Sequence, residues 1–170
     1  MKEYNLLKLL KNKELVDNKI KEFELKNIIE RKQSLDEIKG HMQKAQHNLE
    51  FVKDTSSKKY ADWAITGCYY ACYHAALSLI LTKGYFSKNH QATLLILIKE
   101  FYEKELTKEE IETISQLLNY QDVLFYVESK NKREDATYST KIKFTPKEVE
   151  DLRIKAILFV SKVKSIIEDR

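Results

Sequence analysis

Hydrophobic residues recur along this chain at helical spacing. Leu35, Ile38, Met42, Ala45, Leu49 and Val52 follow one another at steps of three and four, the stripe of a helix with one face against its neighbours. Similar stripes run through Leu94, Leu95, Leu97, Ile98 and Phe101, through Ile111, Ile114, Leu117, Leu118, Leu124 and Phe125, and through Val149, Leu152, Ala156, Phe159, Val163 and Ile166. Upstream, the clusters Leu6 to Leu10, Val16, Ile20 and Phe23, then Leu25, Ile28 and Ile29 predict one or two amphipathic helices, with a break near Lys11 to Lys13. One stretch differs in kind. From Trp63 to Thr82 there is no Asp, Glu, Lys or Arg, and the apolar and aromatic residues point in every direction. A helix apolar all round is a buried one, so the spacing predicts a central helix from Tyr60 to about Lys83.

Capping residues mark the boundaries. Ser34 with Glu37, Thr107 with Glu110, and Thr145 with Pro146 and Glu148 have the pattern in which a hydroxyl and a carboxylate satisfy the orphan amides of a helix start. The first of these helices is expected to end near Asp54 to Ser57. Gly84 offers the left-handed conformation that ends the central helix, and Ser87 is placed to cap the next. Lys130 to Lys143 has lost its periodicity and is expected to be a long loop. The prediction is an all-α protein: an antiparallel bundle of about five long helices (34–170) with an N-terminal helical extension (1–33) packed on it, one domain overall.

Composition narrows this. Three Gly and one Pro in 170 residues argue against turn-rich β architecture. The length of the Trp63 to Thr82 run would suit a membrane span, but its middle holds Gly67, Cys68, Tyr69, Tyr70, Cys72, Tyr73 and His74, where a span concentrates aliphatic residues. No membrane association is expected. Leu6 to Leu10, interrupted by Lys8, is too short for a signal peptide, and Cys68 and Cys72 share a helix and cannot pair without distorting it. A reducing, cytoplasmic setting is expected. The net charge of +4 permits nucleic-acid attraction without announcing it. Lys130 to Lys147, however, carries six basic residues against two acidic, a local balance equal to that of the whole chain, with Tyr126 and Tyr138 flanking or interrupting it. Such a segment can meet phosphates and stack bases, although a charge run is more often a solvated loop.

Chemistry is sparse. Cys68, Cys72 and His74 cannot converge on one metal, because His74 lies about 200° around the helix from Cys72, and His41 and His47, six residues apart, also splay. No metal or other cofactor is expected, and no phosphate-cradling glycine loop is present. His74 is the sharper candidate. Its default reading is a core histidine satisfied by Tyr70 or Ser78, each four residues away. His90 reads as an exposed or capping residue at the start of a helix.

The string GCYYACYHAALSLILTKGYFSKNHQATLL, with Tyr69, Tyr70, Ala71, Tyr73, His74, Ala75 and Ala76 followed by Lys83, Gly84, Ser87 and His90, resembles the HEPN family (higher eukaryote and prokaryote nucleotide-binding) in its small prokaryotic form. Arg133, Ala136, Tyr138, Phe144, Ala156 and Phe159 also resemble its pattern, so the likeness covers residues 35 to 168 loosely. It implies a four- to five-helix bundle, often a homodimer, frequently paired with a small nucleotidyltransferase in a toxin–antitoxin module. Many members are metal-independent ribonucleases whose signature is an arginine, four to six intervening residues, then histidine. The arginine would stabilise phosphate charge while the histidine moves protons. Here Gly67 stands seven residues before His74, where relatives often carry the arginine, and none of Arg31, Arg133, Arg153 and Arg170 precedes a histidine at that spacing.

The resemblance, taken with the basic stretch, leads to the expectation of a HEPN-like protein, non-catalytic or weakly catalytic, that binds a partner protein and also nucleotide or RNA through Tyr70, His74, Lys130, Lys132, Arg133, Tyr138, Lys141 and Lys143. A second reading is a ribonuclease toxin with His74 as catalytic residue and a substitute cation such as Lys58, Lys59 or Arg133. A third is a structural helical interaction module.

Overall fold

A computed structural model describes residues 3–56, 60–118 and 145–170. Among the described residues the fold is all-α, as the periodicities predict, apart from one two-stranded ribbon. In chain order the elements are α1 (Glu3–Lys11), α2 (Lys13–Leu25), β1 (Ile29–Arg31), α3 (Leu35–Ser56), α4 (Ala61–Leu81), β2 (Tyr85–Ser87), α5 (His90–Phe101), α6 (residues 108–118) and α7 (Pro146–Glu168).

The apolar run is α4, and it forms the centre. Its residues from Ala64 to Leu81 are mostly buried, including Cys68, Tyr69, Ala71, Cys72, Ala75, Ala76, Leu79 and Ile80. Although Trp63–Leu81 is long and apolar enough to cross a membrane, 83% of it is buried within the protein, the behaviour of a core helix. Only its rim departs from that pattern: Trp63 and Tyr70 are exposed. α3 makes the most extensive interface with α4, and Cys72, a small side chain, lies against the Ala156 carbonyl of α7. The Ser78 hydroxyl crosses that interface to donate to the Ile38 carbonyl at 2.7 Å. α7 lies against α4, burying Leu152, Ala156, Phe159 and Val163. Burial pushes the Cys68 thiol up to about 12 and the Cys72 thiol well above its ordinary value, so both stay protonated and pack as small apolar groups.

The N-terminal break falls at Asn12, whose side chain accepts from the Leu15 amide at 2.9 Å and starts α2. Leu6 and Leu9 of α1 and Val16 and Ile20 of α2 join the same apolar core as α4, with α2 packed against α5. The expectation that Leu25, Ile28 and Ile29 continue a helix is corrected. α2 ends at Leu25, which is 85% exposed, and Asn27 turns the chain with φ 53°. Asparagine tolerates that left-handed conformation, and the Ile28 amide closes the turn on the Phe23 carbonyl at 2.9 Å. The chain then runs extended as β1, antiparallel to β2 with Ile29 opposite Ser87, Glu30 opposite Phe86 and Arg31 opposite Tyr85. Gly84, at φ 75°, delivers the chain from α4 into β2, and its carbonyl accepts from the Lys32 amide.

The helix starts follow the sequence with two differences. Thr107 with Glu110 and Thr145 with Glu148 make both halves of their capping boxes. Ser34 accepts from the Glu37 amide, but the Glu37 carboxylate turns to Lys32, so this box is half formed. The cap of α5 is Asn89, not Ser87: the asparagine side chain accepts from the Ala92 amide, while Ser87 in β2 hydrogen-bonds the backbone of Asn89.

Candidate functional site

His41 is the residue that gives His74 its surroundings. It lies on the inner stripe of α3, three residues after Ile38 and four before Ala45, and faces α4. The two Nδ1 atoms are 2.9 Å apart and the rings stack at 5.2 Å between centroids. This corrects the expectation that Tyr70 or Ser78 satisfies His74. Ser78 bonds to Ile38, and the Tyr70 ring lies 6.5 Å from the His74 ring centroid to centroid.

A hydrogen bond between two Nδ1 atoms requires one to carry a proton and the other to lack it. In the neutral pair the donor ring therefore keeps a free lone pair on Nε2, and the acceptor ring keeps its proton on Nε2. The pair offers one base and one acid. Partial burial, followed by the nearness of His41 and Lys44, lowers His74 to about 4. His41 is also lowered, first by burial and then by Lys44, with Glu37 opposing and Lys32 adding to the effect. At neutral pH both imidazoles are uncharged.

His41 forms part of the wall of an open cavity of about 580 Å³, between α3, α4, the ribbon and the start of α5. Tyr73 and Leu77 of α4, Phe86 and Ser87 of β2, and His90 of α5 line it, with Lys32, Lys88, Glu30 and Glu37 around them. His90 is neither the exposed nor the capping residue its position suggested, since Asn89 caps α5. It is half-buried, its ring stands edge-on to Tyr73 at 4.6 Å, and the Tyr69 hydroxyl lies 2.9 Å from its Nδ1. The Phe86 ring lies under two ammonium groups, Lys32 at 5.0 Å and Lys88 at 5.9 Å. Lys32 also pairs with Glu37 at 2.5 Å.

Three of the four arginines are described, and each is held elsewhere. Arg31 lies over the Tyr85 ring at 3.8 Å and pairs with Glu24, Arg153 pairs with Glu150, and Arg170 pairs with Glu105. Gly67 is buried, and a Cβ there would lie 2.5 Å from Val52 Cγ2. The glycine is a packing requirement of the α3–α4 crossing, on a face with no room for a guanidinium.

The match to known proteins agrees with this architecture. The HEPN domain model matches residues 38–166, from the first turn of α3 to the last turns of α7. This chain belongs to the HEPN domain family. Among curated proteins, none matches it. HEPN membership supports a general HEPN-like function for the chain, and the matched range holds His41, His74 and His90 while excluding α1, α2 and β1.

Of the residues expected at the site, His74 and Tyr70 are neighbours on α4, and Tyr70 lies outside the cavity wall. Lys130, Lys132, Arg133, Tyr138, Lys141 and Lys143 lie outside the described residues, as do Lys58 and Lys59. Sequence reasoning missed His41, whose signal was its place on the stripe between Ile38 and Ala45. It also missed the β1–β2 ribbon and the inward turn of His90. Among the described residues no group of three or more His, Cys, Asp or Glu is placed to hold a metal.

Proposed function

We propose that this HEPN protein binds single-stranded RNA or an RNA end in the His41–His90 cavity and acts on it weakly or not at all. The observation that carries this reading is the 2.9 Å Nδ1–Nδ1 contact of His41 and His74 at the wall of a cavity that also presents Phe86, Tyr73, Lys32 and Lys88. Aromatic faces suit bases, and ammonium groups suit phosphates. Two lysines and two glutamates balance formally around the cavity. Recognition there rests on local contacts, not on a long-range field, and the basic stretch Lys130 to Lys147 supplies further positive charge in sequence.

Weak chemistry fits the same geometry. The histidine pair can lend a base and an acid to a phosphodiester. The described arginines are all ion-paired away from it, and a missing donor to the developing phosphate charge costs roughly 3 to 4 kcal/mol of transition-state stabilisation. A partner protein, such as the small nucleotidyltransferase of a toxin–antitoxin module, and a homodimeric state remain part of this proposal on family grounds.

The test is equilibrium binding of a short fluorescent single-stranded RNA by the full chain and by His41→Ala, with parallel incubation at high protein concentration in chelator. The proposal expects binding by the native protein, weaker binding by the variant and little or no cleavage. Absence of binding by the native chain would remove the RNA reading. Rapid metal-independent cleavage abolished by His74→Ala would replace the weak-activity reading with a ribonuclease.

A further inference from the structure

The cavity has a wall that the HEPN match does not include. β1 and the turn after it come from the N-terminal arm, before residue 38, yet Glu30 and Lys32 line the same cavity as His41 and His90. The arm is anchored there by three kinds of contact. β1 pairs with β2 over three residues, the Lys32 amide donates to the Gly84 carbonyl, and Arg31 is clamped between Glu24 and the Tyr85 ring. Position 32 is therefore fixed in the backbone while its side chain is left to reach. The Lys32 ammonium lies above Phe86 and against the Glu37 carboxylate, beside His41.

We propose that Lys32, supplied by the N-terminal arm, is a phosphate-binding cation of this cavity, and that the Glu37 carboxylate occupies the phosphate's place until a ligand phosphate displaces it. This rests on the reading of the cavity as an RNA site. The Lys32–Glu37 pair is suited to exchange. Both side chains are more than a third exposed, and an ion pair of that kind contributes little net stability, so its opening costs little. A phosphate offers the same ammonium a charge-assisted hydrogen bond in a cavity that His41 and His90 also line. The base attached to that phosphate then has the Phe86 ring within reach, because Lys32 already stands over it. Arg153 and Arg170 are not among the residues that line the cavity, and Arg31 is held on Tyr85.

The test compares full-length native protein with Lys32→Gln, Lys32→Arg, Glu37→Gln and His41→Ala, using the same short single-stranded RNA over a series of salt concentrations. Lys32→Gln is expected to weaken binding about tenfold and to reduce the slope of log affinity against log salt by about 0.7, the value for one contact on a single strand. Lys32→Arg should retain the slope, and Glu37→Gln should tighten binding because the competing carboxylate is gone. Thermal unfolding of each variant near the native midpoint shows that the differences belong to the site. If Lys32→Gln keeps native affinity and slope while His41→Ala loses affinity, the role of Lys32 is overturned and the cavity remains the RNA site. If Glu37→Gln binds more weakly than native, the displacement is overturned. If the native chain binds no RNA, the reading of the cavity fails and this inference with it.

Discussion

Gly67 of α4 lies so close to Val52 of α3 that a Cβ at position 67 would come within 2.5 Å of the valine Cγ2 and 3.1 Å of Phe51 Cδ1. Valine is stiff about χ1 and cannot swing aside cheaply. Gly67→Ala is therefore expected to destabilise the protein by about 1 to 3 kcal/mol, the range for overpacking a close helix crossing. Val52→Ala in the same chain should recover part of the loss. At Gly40, on the same partner helix, a Cβ would meet only open space. Gly40→Ala should stabilise by about 0.5 to 1 kcal/mol through the lost freedom of the unfolded chain. Denaturant unfolding of the variants checks both signs. A neutral Gly67→Ala would contradict the close crossing, and with it the argument that an arginine has no room at this position.

The His41–His74 pair gives stability a pH dependence. The folded His74 has a value near 4 against an ordinary 6.5, chiefly because of burial. Well above pH 6.5 the residue is neutral in both folded and unfolded chains and contributes no slope. As pH falls from 6.5 towards 4 the unfolded chain takes up a proton that the folded one refuses, so stability declines. His41, also lowered, acts in the same direction. Between pH 6.5 and about 5, above the carboxylate range, guanidinium midpoints should fall for the native protein and fall less for His74→Gln. Identical slopes would contradict a neutral, hydrogen-bonded pair.

Helix starts separate a complete capping box from a partial one. At α7 the Thr145 hydroxyl accepts from the Glu148 amide, and the Thr145 amide donates to the Glu148 carboxylate. At α3 only the first of the two equivalent bonds forms, at 3.3 Å, since Glu37 is drawn to Lys32. Thr145→Ala should cost about 1 kcal/mol. Ser34→Ala should cost less, as read from unfolding midpoints under one condition.

Most of the fold was legible because single-helix periodicity reports which face is buried. The stripes at 38–52, 94–101 and 149–166 each became an inward face, and the charge-free run became the central helix, whereas Leu35, expected on the first stripe, is 75% exposed at the very start of α3. The site was legible only on one side. His74 stood out against an apolar helix, whereas its partner lay 33 residues away on another helix, and a pairing of that kind depends on how two helices cross. The same limit hid the ribbon. Ile28 and Ile29 look like the end of a helical stripe, and it takes the turn at Asn27 and the partner strand Tyr85–Ser87 to make Ile29 extended, opposite Ser87. His90 looked solvent-facing because a first-turn residue usually is. Tyr69 and Tyr73, on the far side of Gly84, draw it in.

The chain carries four histidines, and they are placed to report on the cavity without further labelling. His41 and His90 line it, His74 bonds to His41, and His47 is exposed on α3 away from the cavity wall. The most direct measurement is therefore side-chain NMR of the four imidazoles during addition of a short single-stranded RNA, assigned by single His→Gln variants. An RNA site at this cavity predicts that the His41, His74 and His90 resonances shift together and saturate while His47 stays in place. Saturating binding that leaves His41 and His90 unmoved, or moves His47 as far as they move, would contradict it.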